Sequence, residues 1–432
     1  MKSLISWITA SSLLAGLGMA QPRYSVVDLS TLRGAAFSQA TYINNPGVVT
    51  GVSAAADGTQ HSVIWYGGFI GDFGTNPLGG PNSEVFGINE NGQALGQAEG
   101  ADKDPNGEDF CGYGTGLKCL PFLWHYGVTT QLPTLGGANG SVGQINGSGE
   151  ASGYAENGIH DPDCKAKPAS NGTGPQAVDF EAVIWGPAPG QIRQLQQLPG
   201  DTVGMAIGMN DSGQAVGTTG TCSTVVLPPL PAVGLHAVLW EKDGSVHDLG
   251  NLGGKATTTA PGQGNIALSI NNQGQVVGAS LVSSGATVHA FLWTTDKGMQ
   301  DLGTLTGDVG SAGLGINEES EVVGPSLDSD GNPRAYLWKN GVMTDLNALV
   351  PEDFPLFLLL ATSINDAGQI VGFGVQKEAP NDIHAFLATP DYSAAPAVAG
   401  SNVSHFVLSE HARQQVQQKL RLGRVAGLSE PR

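Results

Sequence analysis

The chain has 432 residues, of which 64 are glycine; 13% are charged and 40% hydrophobic. A formal net charge of −19 excludes a nucleic-acid partner, because gripping a phosphate backbone takes a basic surface. So much glycine with so little charge argues against a helical protein and predicts many short strands joined by tight turns.

In chain order, residues 1–20 read as a secretion signal. Lys2 gives the positive start, Leu4 to Leu17 the apolar middle, and Gly18-Met19-Ala20 a small-x-small cleavage site before Gln21. Ser and Thr interrupt the apolar run, so no membrane anchor is expected. Phe354 to Ala361, the longest later apolar stretch, is too short to span a bilayer. The expectation is a secreted protein, extracellular or periplasmic, with no integral membrane segment once the signal is removed. Four cysteines agree with an oxidising compartment.

Residues 21–390 carry a repeat. Its best copy is Ile270-Asn271-Asn272-Gln273-Gly274-Gln275-Val276-Val277-Gly278, which reads as a hairpin turn followed by a short β-branched strand. Six further copies begin at Ile43-Asn44, Ile88-Asn89, Ile145-Asn146, Met209-Asn210, Ile316-Asn317 and Ile364-Asn365. Seven Asn residues in one context point to a structural turn, since a site is rarely built seven times. Three more strand-like elements recur with it. One runs into each Ile-Asn (strand A, before the Gln-Val-Val strand B). Another is His289-Ala290-Phe291-Leu292-Trp293 (strand C), and the last is an Asp-Leu segment such as Asp301-Leu302 (strand D). Spacings of 45, 46 and 48 residues between the plainest copies suit a propeller blade of four short antiparallel strands.

The order of elements favours a closed ring. The chain opens on a lone D strand, Tyr24 to Leu29, and its last repeat stops on a C strand, His384 to Ala388. Pairing the two completes a seventh blade and leaves no open edge, whereas a solenoid would need capping repeats. The fold expected is therefore all-β, a seven-bladed β-propeller of four-stranded antiparallel blades closed by its terminal strands. The residue three before each Ile or Met is small (Ala40, Val85, Val142, Ala206, Ala267, Gly313, Ala361), as crowding at the axis would require.

The run His-Ala-Phe-Leu-Trp, then Asp-Leu-Gly-Thr-Leu, then Ile-Asn-x-x-Gly-Gln-Val-Val-Gly resembles the probable extracellular repeat of the HAF family. The likeness covers about residues 24 to 390, with Pro121, Glu181 and Arg334 standing where three copies depart from His. It implies a secreted bacterial repeat protein and no particular chemistry.

After the repeats, 391–407 reads as an Ala/Ser/Pro-rich linker and 408–432 as a short helix with a basic tail. Ser409 is the expected cap, with Ala412, Val416 and Leu420 on one face.

Three consecutive blades carry long B–C connections: Gln97 to Leu120, Tyr154 to Phe180 and Thr218 to Leu235. They contain all four cysteines, which match no zinc spacing. The expected bonds are Cys111 with Cys119 inside one loop and Cys164 with Cys222 between two. Stapled adjacent loops on one face of a rigid scaffold form either a binding surface or a tolerated insertion. Aromatic and imidazole groups for a ligand there would be Phe110, Tyr113, Tyr154 and His160.

Asp102-Lys103-Asp104-Pro105-Asn106-Gly107-Glu108-Asp109 resembles the opening of a calcium loop, offering Asp102, Asp104, Asn106, Glu108 and Asp109 as oxygen ligands. Its closing carboxylate is replaced by Tyr113. The repeated His61, His236, His289 and His384 read as structural, because a catalytic His needs a singular neighbourhood. No nucleophile elbow, zinc-protease motif or phosphate-binding loop is present in the sequence. Two functions follow: a non-catalytic exported propeller binding a protein or polysaccharide through the loops of blades 2–4, or a secreted polysaccharide hydrolase or lyase using carboxylates around the channel mouth or in the insertions.

Overall fold

Seven antiparallel sheets follow one another around an axis in the computed structural model. It describes residues 20–73, 78–164, 176–225, 234–255, 264–284, 287–403, 406–409, 412–413 and 416. The expected signal falls outside these residues up to position 19. Blades 1 to 6 occupy 38–72, 79–131, 140–194, 203–248, 266–303 and 310–345. Blade 7 is built from Leu356–Ile364, Ile370–Gln376 and Ile383–Asp391, with the amino-terminal strand Arg23–Asp28 as its outermost member. Val26 lies opposite Ala388 and Val27 opposite Leu387, so the ring closes through its terminal strands as expected. Among the described residues no helix is long and apolar enough to cross a membrane.

The repeated turn shows why the sequence repeats. Positive φ falls on the Gly rather than on the Asn, at Gly47, Gly92, Gly149, Gly213, Gly274 and Gly368, with Ser320 in the blade 6 copy. The Asn holds the turn from its side chain: Asn271 Oδ1 accepts the N–H of Gln273 at 3.1 Å and of Gln275 at 3.0 Å. Its Nδ2 donates to the carbonyl of Asn317 in the next blade at 3.0 Å. The same bond runs from Asn44 to Asn89, Asn89 to Asn146, Asn146 to Asn210, Asn210 to Asn271, Asn317 to Asn365 and Asn365 to Asn44. The seven asparagines thus form a closed belt around the axis, and each link satisfies a buried amide and a carbonyl together.

Strand A is kinked before each turn by a register shift, for example between Ala267 and Ser269. The kink pushes strand A onto the glycine that closes strand B. A Cβ on Gly278 would lie 2.0 Å from the Ile266 carbonyl oxygen, and one on Gly217 1.8 Å from that of Met205. Only glycine admits so close a backbone approach. The small residues at Ala40, Val85, Ala206, Ala267 and Ala361 are wholly buried in blade cores and do not line the axis. The next residue along does so: Ile207, Leu268 and Leu314 of three successive blades pack into one cluster.

Trp185 and Trp240 are buried and donate from Nε1 to the carbonyls of Pro133 and Gln196. The repeated histidines each hydrogen-bond a carboxylate: His61 with Asp72, His236 with Asp201, His289 with Asp301 and His384 with Asp28. Strand register puts Leu120, not Pro121, at that position in blade 2, because Gly96 pairs with Phe122 as Gly278 pairs with Phe291. In blade 6 Arg334 takes the place of His, with 1% of its side chain exposed between Asp308 and Asp345.

The stretch expected as a linker packs on the ring. Ala397–Val398 pairs with Ala20–Gln21, and the Asp345 amide donates to the Ser401 carbonyl. Ser409 caps as expected, its Oγ accepting the Ala412 N–H at 3.0 Å, and Ala412 and Val416 are buried. Leu420 lies outside the described residues.

Candidate functional site

The B–C loops and D–A crossovers share one face of the ring, here the loop face; the A–B and C–D turns form the hairpin face. On the loop face two insertions are prolonged hairpins. Blade 2 extends Ala94–Lys103 against Leu117–His125, and blade 3 extends Ala151–His160 against Val178–Trp185. Both expected disulfides form, Cys111–Cys119 within the first insertion and Cys164–Cys222 from blade 3 to blade 4. Beneath them lies an apolar core of Phe110, Tyr154, Phe180, Val203 and Met205, reached by the axis-lining Ile207. The insertions therefore cover part of the channel on this face.

Phe110 and Tyr154 are each 5% exposed, with ring centroids 5.5 Å apart. Shielding an insertion from water takes large apolar side chains, and these two do that work inside it; they offer no stacking surface. Tyr113 is half-buried against the same core, and His160 is exposed next to Ile159.

The five residues expected as calcium ligands each have partners within the protein. Asp102 is exposed and pairs with Lys118 at 3.6 Å. Asp104 Oδ1 accepts the N–H of Asn106 and Glu108, and its Oδ2 accepts Asn139 Nδ2 at 2.8 Å. Glu108 Oε1 accepts the N–H of Ala177 and Val178 from the next insertion. Asp109 accepts the N–H of Gly114 and Gly116, and Asn106 Nδ2 reaches Glu108 Oε2 at 3.5 Å. Among the described residues the one His/Cys/Asp/Glu group close enough to share a metal ion is Cys164, Asp179 and Cys222, two of which are disulfide-bonded.

What the sequence reading missed is a set of buried acids under the insertions. Glu156 and Glu99 are 0% exposed and Glu108 1%. Asn139 Nδ2 bridges Asp104, Glu108 and Glu156, while Glu156 Oε2 accepts the N–H of Ala138 and Asn139. Burial, and then the neighbouring Glu108 charge, pushes Glu156 up to about 8. Burial likewise raises Glu108, Glu99 and Glu181, and burial followed by Asp161 pushes Asp179 to about 7. Burial of this kind favours the protonated form, in which a carboxyl is a donor as well as an acceptor. A signal was present: Glu99 and Glu156 stand three residues after the strand B glycine, where other blades carry Ala54, Leu281, Leu327 and Val375.

The hairpin face holds a concavity at the channel mouth, a cavity of about 130 Å³. Residues following the belt asparagines rim it, among them Asn45, Glu90, Asp211, Asn272, Glu318 and Asp366. The rim is knitted from blade to blade: Glu318 Oε1 accepts the Asn272 N–H at 2.7 Å, and Asp211 Oδ1 that of Gly147 at 2.7 Å. This mouth is polar and acidic, whereas the insertions on the loop face pack over an apolar cluster.

No known protein family matches the chain, and no curated protein does. Solved structures similar to it include a puromycin-hydrolysing peptidase from Mycobacterium tuberculosis, at TM-score 0.49 and 11% identity. That match covers 90% of this chain but 57% of the peptidase, so the chain spans just over half its length. An oligogalacturonate lyase in complex with manganese matches at TM-score 0.46 and 12% identity, over 87% of this chain and 99% of the lyase. TolB from Acinetobacter baumannii matches at 0.39 and 11%, over 80% and 64%. Likenesses this distant carry no argument about activity.

Proposed function

We propose that the chain is an exported, non-catalytic propeller that binds a protein or polysaccharide through the stapled loop face of blades 2–4. The observation that carries this reading is the fate of the acids there. Glu108 and Glu156 are buried and bonded to loop amides, so they hold the insertions together from within. A polysaccharide hydrolase or lyase needs its carboxyls in reach of a substrate. The Cys164–Cys222 bond makes two adjacent loops one body, which limits the ordering that binding would otherwise demand. Disulfides also suit an oxidising compartment outside the cytoplasm.

The contact surface would centre on Ile159, His160 and Tyr113. Affinity electrophoresis through neutral and acidic polysaccharides, and capture by immobilised envelope proteins, should show retardation or capture that Ile159→Ala with His160→Ala abolishes without loss of fold. Release of reducing ends or unsaturated products would instead favour the enzyme, and binding untouched by the double substitution would move the surface elsewhere.

A further inference from the structure

The concavity on the hairpin face lies at the opposite end of the ring from the stapled loops. Every residue lining it comes from the end of a strand A or from the belt turn that follows, and none is basic. Four carboxylates stand there, Glu90, Asp211, Glu318 and Asp366, from blades 2, 4, 6 and 7.

Rim bonds account for part of this set. Asp366 accepts the Glu318 N–H and Asn45 Nδ2, and Asp211 accepts the Gly147 N–H and Asn272 Nδ2, so both oxygens of each are engaged. Glu90 and Glu318 accept the N–H of Asn45 and Asn272 through Oε1 alone, and among the described residues Oε2 of each has no partner.

Two hydroxyls face the same space. Ser269 is 6% exposed, lines the cavity and has no side-chain hydrogen bond among the described residues. A hydroxyl so enclosed, with no bond inside the protein, is set to bond whatever fills the cavity. Tyr42 is half-buried and lines it too. Burial, and then the charges of Glu90, Asp211 and Asp366, push its hydroxyl up to about 12, so carboxylates of three blades act on one phenol at the mouth.

Ring order sorts these groups into two ends. Tyr42 and Glu90 belong to blades 1 and 2, Ser269 and Glu318 to blades 5 and 6. Blades 2 and 6 stand as far apart as a ring of seven allows. No three carboxylates of the mouth come close enough to share one metal ion. The cavity of about 130 Å³ has room for roughly ten waters, which suits a guest larger than a bare ion.

We propose that this mouth binds a short linear polyamine, one ammonium held by Glu90 and the Tyr42 hydroxyl and another by Glu318 and the Ser269 hydroxyl. An ammonium only donates and an ionised carboxylate only accepts, so each end forms charge-assisted hydrogen bonds. Carboxylates spaced around a ring match a guest with spaced charges, and a lining without lysine or arginine leaves nothing to repel it. The proposal does not rest on the binding proposed for the stapled loops.

The test is calorimetric titration of the full chain with spermidine at low salt. One molecule should bind per chain, and butylamine, with a single ammonium, should bind at least about tenfold more weakly. Glu90→Gln with Glu318→Gln keeps an oxygen for the Asn45 and Asn272 N–H, and should weaken spermidine at least about tenfold without shifting the melting temperature. Ser269→Ala touches no rim bond and should weaken it about threefold. Asp296→Asn with Asp353→Asn removes the same charge from exposed turns outside the mouth and should leave the affinity unchanged. Equal weakening by that distant pair would make the attraction a property of the whole acidic protein and overturn the site. Butylamine binding as tightly as spermidine would overturn its two ends, and calcium chloride displacing spermidine at equal concentration would give the mouth to a metal ion instead.

Discussion

Blades 1, 5 and 7 and blades 2 and 3 share one frame and hold it with different chemistry. In the first group a strand C histidine bonds a strand D aspartate at the loop-face edge, at 3.0, 3.0 and 2.8 Å, with both partners partly in water. In blades 2 and 3 Leu120 and Glu181 stand at that register, and the edge is held by disulfides and buried acids. Common to both groups are the kink of strand A against the strand B glycine and the asparagine belt. Main-chain geometry defines a blade here. The side-chain ties are interchangeable: blade 4 keeps its histidine, His236 with Asp201, beside a long insertion, and blade 6 replaces it with Arg334 beside a short turn.

That contrast can be broken in several ways. Arg334→Met leaves Asp308 and Asp345 buried without their counter-charge and should cost about 3–5 kcal/mol in chemical denaturation. His289→Ala, removing a partly exposed tie, should cost under about 1 kcal/mol. Cys164→Ser with Cys222→Ser should lose about 2–4 kcal/mol and open the insertions to proteolysis while blade 5 stays resistant. If blade 5 were cut as readily, the two groups would not be separable.

The belt should be indifferent to the division. Asn146→Ala in blade 3 and Asn271→Ala in blade 5 should each cost about 1–3 kcal/mol, since each strands turn amides and a neighbouring carbonyl. Unequal losses would tie the belt to one group.

Acid pH sharpens the contrast further. Glu156 is raised above its unfolded value of 4.5 to about 8, so its contribution is fullest below the unfolded value and is lost as pH climbs through the folded one. The melting temperature of the wild type should fall between pH 5 and pH 8, and Glu156→Gln should flatten that slope. Calcium held by Asp104, Glu108 and Asp109 would give the opposite slope, because ionised ligands favour the loaded fold at higher pH. The smallest effect is expected at the exposed His160, where Ala should change stability by no more than about 0.5 kcal/mol.

Much of the frame was legible because it repeats. Asn271 and its six counterparts, the Trp-ended strands and the unmatched first and last strands fixed blade count and closure before any coordinates. The interblade reach of the asparagines was not legible, since no pattern within one repeat names a partner in the next, 45 to 64 residues along the chain. The kink was hidden for a similar reason: Gly278 looks like the end of a strand, and its need for glycine comes from Ile266 on another strand. At the candidate site the cysteine pairings could be read from loop placement. The alternating acids of 102–109 matched a metal pattern whose local spacing is the same whether the oxygens face an ion or loop amides. Glu156 gave one cue, a charge in a register that other blades fill with apolar residues, and spacing alone could not tell that its neighbour would be Glu108.

The account rests on the insertions of blades 2 and 3 being fixed from inside by buried acids that meet at Asn139, and so presented as a surface and not as reactive groups. Carboxyl-carbon NMR of the protein labelled at glutamate, titrated from pH 4 to 10, measures this at Glu156. An apparent value near 8 is expected, moving toward the ordinary range when Glu108 is replaced by Gln. A wild-type Glu156 titrating near 4.5 would contradict it and leave an ionised carboxylate in its place.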